Sequence, residues 1–328
     1  MRLETVSVIG GGAWGTALAQ AAAMAGRSVS LVVRDADKAA RINSSRCNEA
    51  ALPGQALSPA VTAVAEAASA DIVILAVPAQ ATRGLLAALD PALLAGRPVV
   101  LSAKGLETGT LARQSEILAD MAPDAMGFVL SGPSFAADVA AGRPTAVTLA
   151  GDDASDASDL ASALAGPSFR PYAADDRIGV EIAGALKNVY ALACGAVEGA
   201  NLGASARAAL IARGYAEMAR MVTAMGGSAH TLTGLAGLGD LTLTCTSIQS
   251  RNYQFGMALG AGRRTGDILA GGAALAEGVA TAPVAAALAR SLDVEVPLID
   301  AVDAVITGKS EIAAIVAGLM SRPLKKEH

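Results

Sequence analysis

Short apolar runs bounded by turn residues recur along the first half of the chain, at residues 6–10, 28–33, 71–77, 98–102, 127–131 and 144–149. Alanine-rich helical stretches lie between several of them. The run Ile72-Val73-Ile74-Leu75-Ala76-Val77 is continuous rather than alternating, as in strands of a parallel sheet covered by helices on both faces. This alternation predicts an α/β fold, with an N-terminal Rossmann-like doubly wound sheet built by right-handed crossovers. Beyond about Arg177 the strand signals thin out. Residues 178–197 read as one long helix, and further Ala/Leu/Met-rich segments predict an all-helical C-terminal domain. Ala173-Ala174-Asp175-Asp176 marks the boundary, giving units 1–176 and 177–328. Residues 151–156 are expected to form a loop within the first unit, and 325–328 a solvated tail.

Gly10-Gly11-Gly12-Ala13-Trp14-Gly15 fits G-x-G-x-x-G, directly after the first strand pattern and before a helical stretch at 16–25. In that context Gly10 permits a tight turn, Gly12 lets the backbone approach a pyrophosphate, and Gly15 allows a helix to pack closely on a strand. Helix N–H groups then receive the anion. Residues 1–176 are therefore expected to bind a dinucleotide, NADP or NAD. Trp14 either covers the cofactor or closes the packing. Where NAD-selective sheets usually carry an acid for the ribose 2′-hydroxyl, this chain has Arg34, with Asp35 next. Arg34 either receives a 2′-phosphate or is an ordinary exposed arginine at a strand end.

Several chemistries lose their residues. The two histidines are His230 and His328, so histidine catalysis rests on His230. No tyrosine is followed four residues later by lysine, which removes the short-chain dehydrogenase scheme. Gly308-Lys309-Ser310 lacks the P-loop glycine, since Asp303 stands in its place. Lysine is the better lead. Between residues 182 and 197 Lys187 is the one charged side chain in an apolar helix, where lost hydration would lower its pKa toward the range useful for proton transfer; alternatively it snorkels to the surface. The glycine-dense stretch from Thr233 to Asp240, with Thr244, Ser250, Arg251 and Asn252, offers Asp240 to pair with a lysine and Arg251 as a fork for phosphate. Its bland alternative is a helix connection with a surface arginine.

These blocks, taken in order, resemble an NAD(P)-dependent glycerol-3-phosphate dehydrogenase of the bacterial type over nearly the whole length. The resemblance rests on residues 8–19, Ser102-Ala103-Lys104-Gly105, residues 130–136, Gly184-Ala185-Leu186-Lys187-Asn188-Val189-Tyr190-Ala191, residues 234–241, Ser250-Arg251-Asn252 and Glu277-Gly278. It implies interconversion of dihydroxyacetone phosphate and sn-glycerol 3-phosphate by hydride transfer with NAD(P)H, feeding glycerophospholipid synthesis. It also implies Lys187 as the acid/base at the C2 oxygen with Asp240 beside it, and Lys104 near both substrate and nicotinamide. Gly132, Ser134, Asn188, Ser250, Arg251 and Asn252 would line the substrate. Ala13, Trp14, Arg34, Ala136, Arg251, Leu275 and Glu277 would line the cofactor. Ala103 and Ala276 depart from the usual Ser/Thr and Val, a difference that bears on cofactor contacts and on none of the implied catalytic groups. A β-hydroxyacid dehydrogenase of similar architecture, or a non-catalytic dinucleotide-binding module, are the competing readings.

Composition narrows the partners. A net charge of −5 with four Tyr, four Phe and one Trp argues against nucleic acid. The uncharged stretch at residues 221–239 holds five glycines with Thr, Ser and His, so no membrane-spanning segment is expected. Cys47, Cys194 and Cys245 fit neither a disulfide framework nor a metal site, and with no export signal they point to the cytoplasm. Alanine-rich terminal helices hint at a homodimer.

Overall fold

The computed structural model describes residues 3–271 and 276–321. The first half forms one eight-stranded sheet: β1 (Thr5–Ile9), β2 (Ser28–Val32), β3 (Val61–Val64), β4 (Ile72–Leu75), β5 (Pro98–Leu101), β6 (Met126–Ser131), β7 (Thr145–Ala150) and β8 (Phe169–Ala174). Helices α1 (Ala13–Met24), α2 (Ala36–Ser45), α3 (Thr82–Ala88), α4 (Gln114–Met121), α5 (Ala136–Ala140) and α6 (Ala154–Leu164) connect them. The strand order is β3-β2-β1-β4-β5-β6-β7-β8. Every residue of β4 and β5 is buried, as the continuous apolar runs predict, and separate cores form on the two faces of the sheet.

The sheet departs from the sequence reading in three places. Strands β3 and β8 carry weak signals: β3 reads Val-Thr-Ala-Val with only alternate positions buried, and β8 reads Phe-Arg-Pro-Tyr-Ala-Ala with mostly exposed or part-exposed positions. Both are edge strands, where brevity and proline are tolerated. The chain also turns back after β6, so β7 runs antiparallel to it while β8 pairs parallel with β7. Finally, the loop expected at 151–156 ends early. Asp153 accepts bonds from the Ser155 and Asp156 amides and starts α6, a cap typically worth about 1 kcal/mol.

After β8 the chain is helical among the described residues: α7 (Arg177–Gly199), α8 (Ala204–Ala224), α9 (Asp240–Thr246), α10 (Arg251–Gly260), α11 (Thr265–Ala270), α12 (Glu277–Ser291), α13 (Pro297–Ile306) and α14 (Ile312–Met320). α7 starts where Asp176 accepts the Gly179 amide at 2.8 Å, and it becomes the axis of the third core. By length and composition α7 is apolar enough to cross a membrane, which the sequence reading overlooked. Yet 89% of its most apolar window is buried inside the protein, the mark of a core helix. α7 and α10 meet backbone to backbone. A Cβ on Gly195 would lie 2.1 Å from the Tyr253 carbonyl oxygen, and one on Gly256 would lie 2.1 Å from that of Leu192. Gly199 and Gly260 repeat the arrangement one turn on. This contact fixes the N-terminus of α10, which carries Ser250, Arg251 and Asn252, against the segment of α7 that carries Lys187 and Asn188.

Candidate active site

The strand order reverses between β1 and β4, and the ends of those strands open into a cleft of about 520 Å³ facing the helical half. The glycines divide their work there. Gly10 has φ +126°, and a Cβ on it would stand 2.4 Å from the Ala76 carbonyl oxygen at the end of β4. A Cβ on Gly15 would lie 1.9 Å from the Gly10 oxygen, so α1 can sit on its strand only with glycine there. Gly12 lines the cleft and faces open space, with nothing within 4 Å of its Cβ position. It is also the N-cap of α1, and no side chain caps it. A pyrophosphate fits this cradle. Ala13, Trp14 and Ala136 line the same wall. Trp14 packs against the sheet core, lines the cleft, and holds a buried indole N–H without a protein partner. The Lys104 ammonium stands 6.0 Å from the centre of its ring.

Opposite the glycines, Lys187 is buried at 7% exposure rather than snorkelling. Its Nζ donates to Asp240 Oδ1 at 2.6 Å and to Thr244 Oγ1 at 2.9 Å. Lys104 comes from the loop after β5 and donates to Asp240 Oδ2 at 2.8 Å and to the Gly132 carbonyl at 3.1 Å. One carboxylate therefore bridges two ammonium groups, one oxygen each. Burial pulls Lys187 down to about 8 and Lys104 pulls the same way, while Asp240 opposes them. Burial alone would raise the Asp240 carboxyl, but the two lysines outweigh it and hold it below the usual range. Each ammonium has three protons, two of them engaged, so each lysine keeps one for the cleft.

The remaining candidates fall around this centre. Asn188, Ser134, Ser250, Arg251, Asn252 and Glu277 all line the cleft. Gly132, at φ +143°, offers its carbonyl to Lys104 and to the Ser134 hydroxyl. Ser250 caps α10, accepting the Tyr253 amide, and this places Arg251 at the first position of that helix. The Arg251 guanidinium is exposed to the cleft. Asn188 donates to the Lys104 carbonyl and accepts from Asn252, which in turn accepts the Gly278 amide, so a chain of amides joins the loop after β5 to α7, α10 and α12. Burial raises the Glu277 carboxyl, against the Ala79 amide and the cations Arg251, Lys104 and Lys187. Arg34 is exposed at the end of β2, outside the cleft wall. Leu275 lies outside the described residues. His230 is exposed and away from the cleft wall.

The sequence placed Thr244 in this constellation without assigning it a task; standing four residues after Asp240 on one helix face, it accepts from Lys187. The paired G-x-x-x-G spacings at 195–199 and 256–260 were an equally available sign of the α7–α10 contact.

Residues 5–157 match the family model for the N-terminus of NAD-dependent glycerol-3-phosphate dehydrogenase, and residues 176–317 match the model for its C-terminus. The glycerol-3-phosphate dehydrogenase [NAD(P)+] of Caulobacter vibrioides is 50% identical over 330 residues, covering 100% of both chains. That of Bradyrhizobium sp. strain BTAi1 is 52% identical over 327 residues, covering 99% of this chain and 98% of its own. The crystal structure of glycerol-3-phosphate dehydrogenase from Coxiella burnetii superposes with a TM-score of 0.91 at 36% identity, covering 97% of this chain and 99% of that one. A glycine cradle facing a lysine–carboxylate centre thus sits in a chain matched end to end, and the protein belongs to the NAD-dependent glycerol-3-phosphate dehydrogenase family.

Proposed function

We propose that the cleft carries out the family's reaction, interconversion of dihydroxyacetone phosphate and sn-glycerol 3-phosphate with NAD(P)H, with Lys187 moving the proton. The observation that carries this reading is the Lys187–Asp240–Lys104 bridge at 2.6 and 2.8 Å, facing the glycine cradle across one cleft. When bound, the nicotinamide supplies or accepts the hydride; the protein supplies position and charge. Gly12, Ala13, Trp14 and Ala136 would hold the dinucleotide, with Arg34 beside the adenosine ribose. In the reducing direction Lys187 gives its free proton to the C2 oxygen, and in oxidation the neutral amine takes it back. Asp240 and Thr244 aim the amine, and Lys104 places a second positive charge where the oxyanion develops. Arg251, with Ser250 and Asn252, would receive the phosphate.

Residues 1–176 act in this reading as the dinucleotide-binding domain and 177–328 as the helical substrate-binding and catalytic domain. Its substrate is a small phosphorylated molecule. The buried free thiols Cys47, Cys194 and Cys245 support a reducing compartment such as the cytoplasm. A homodimer is supported by α14, Ile-Ala-Ala-Ile-Val-Ala-Gly-Leu-Met, which carries no polar side chain and leaves Ala313, Ala314 and Ala317 exposed. The test is absorbance at the nicotinamide band with dihydroxyacetone phosphate against a short β-hydroxy acid. Saturable turnover with the phosphate substrate in both directions is expected; preference for the carboxylate would overturn the assignment.

A further inference from the structure

The carbonyl of Gly11 is held from behind the dinucleotide loop by two side chains that the reaction does not use. Lys38, on the first turns of α2, donates from Nζ to the Gly11 oxygen at 3.0 Å. Asn48 donates from Nδ2 to the same oxygen at 3.1 Å and to Thr16 Oγ1, on α1, at 2.8 Å. Asn48 is 2% exposed, and Lys38 is half-buried. A trans peptide points its C=O and N–H in opposite directions. Drawing the Gly11 oxygen toward α2 therefore turns the Gly12 N–H the other way, and Gly12 lines the cleft with open space beside it. A cation on the oxygen also polarises that peptide, making its N–H a stronger donor to an anion.

The α2 side of the contact is itself anchored. Asp35 caps α2 by accepting the Asp37 amide at 2.9 Å, and Asn43 pairs with both the carbonyl and the amide of Ala63 in β3 at 2.8 Å. The ammonium thus reaches the glycine loop from a helix braced on the sheet. Val33 closes the remaining space: a Cβ on Gly11 would meet its Cγ1 at 2.3 Å.

We infer that Lys38 and Asn48 are positioning residues that preset the Gly11–Gly12 peptide as an anion donor, and so set affinity for the pyrophosphate of either dinucleotide. This rests on the cofactor site proposed above. Because the pyrophosphate is common to NADH, NADPH and ADP, the loss on mutation must be common too.

The experiment is direct binding without turnover. Nucleotide fluorescence measures NADH and NADPH, and calorimetry measures ADP, on wild type, Lys38→Met, Lys38→Arg and Asn48→Ala. In Lys38→Met all three dissociation constants should rise by a similar factor, about 5- to 30-fold, and Lys38→Arg should recover most of it. kcat at saturating cofactor and KM for dihydroxyacetone phosphate should stay within twofold of wild type. Asn48→Ala should show the same uniform loss; should it fail to fold, the exposed-side variant Lys38→Met decides alone. Weakening of NADPH alone would overturn the inference, making Lys38 a 2′-phosphate ligand, and so would affinities all within twofold of wild type. Wild-type protein that binds no dinucleotide would instead refute the cofactor site itself.

Discussion

On the sheet side of the cleft the working surface is backbone: Gly10, Gly12 and Gly15 bring peptide groups to the strand ends, and no ionised side chain lies in the turn itself. On the helical side it is side chain: Lys187 and Asp240 are each buried at 7% and 1% exposure, in contact with each other and with Lys104. Backbone donors are neutral, so they cost far less to desolvate than an ion does, and the helix start already holds them in place. Buried charges are stable only where partners satisfy them, so the helical side needs a closed set of contacts from several elements. The difference suits the two tasks proposed for them. A cofactor that brings its own chemistry needs a shaped anion cradle, whereas proton transfer needs an amine whose pKa has been moved from 10.5 to about 8.

The comparison is broken most severely by removing the amine. Lys187→Met should lower turnover by roughly 10²–10⁴, the usual contribution of a positioned acid/base. It should leave dinucleotide affinity intact, because the glycine side does not depend on it. Lys104 still pairs with Asp240 in this variant, so the fold should survive. Turnover within threefold of wild type, or a parallel loss of NADH binding, would contradict the division of labour.

Arg251→Ala comes next. It should lower kcat/KM for dihydroxyacetone phosphate by about two decades, and lower kcat as well, because phosphate binding helps orient the reacting carbon. Unphosphorylated dihydroxyacetone should be a poor substrate and nearly indifferent to the mutation. An unchanged ratio of the two kcat/KM values would place the phosphate elsewhere.

Arg34→Asp probes the sheet side at its rim, where the guanidinium is exposed. NADPH efficiency should fall by one to two decades, about 1.5–3 kcal/mol for a charge-assisted bond, and NADH should be spared. Equal losses for both cofactors would make Arg34 structural.

The gentlest probe is pH. With Lys187 near 8, glycerol 3-phosphate oxidation, which needs the neutral amine, should rise through that pH and level off. Dihydroxyacetone phosphate reduction, which needs the ammonium, should fall above it. The change should be up to tenfold per unit. Stability follows the same residue: its folded pKa is depressed, so between about 8 and 10.5 the unfolded chain binds more protons, and the Lys187 contribution to stability rises with pH across that window. The wild-type minus Lys187→Met difference in Tm should therefore rise, becoming more positive, from about pH 8 to 10.5. Activity profiles without an inflection near pH 8 would assign proton transfer to another group.

What could be read from the chain was whatever depends on neighbours in sequence. The alternating apolar runs gave the α/β half, the loss of strand signals after Arg177 gave the helical half, and the G-x-G-x-x-G spacing gave the cradle, because a tight turn and a helix start are local events. Lys187 stood out as a lone charge in an apolar helix for the same reason. Other features carry no local mark. Edge strands β3 and β8 lack the continuous apolar run that marks the central strands, and the reversed direction of β7 depends on where the connection after β6 comes to rest. Asp240 meets Lys187 across 53 residues and Lys104 across 136, and Lys38 meets Gly11 across 27. Sequence thus determined which groups were available, since their type and local geometry are set by adjacent residues. Tertiary structure decided which of them share a charge, because burial and the distances of a few ångströms that shift a pKa exist only once separate elements have packed together.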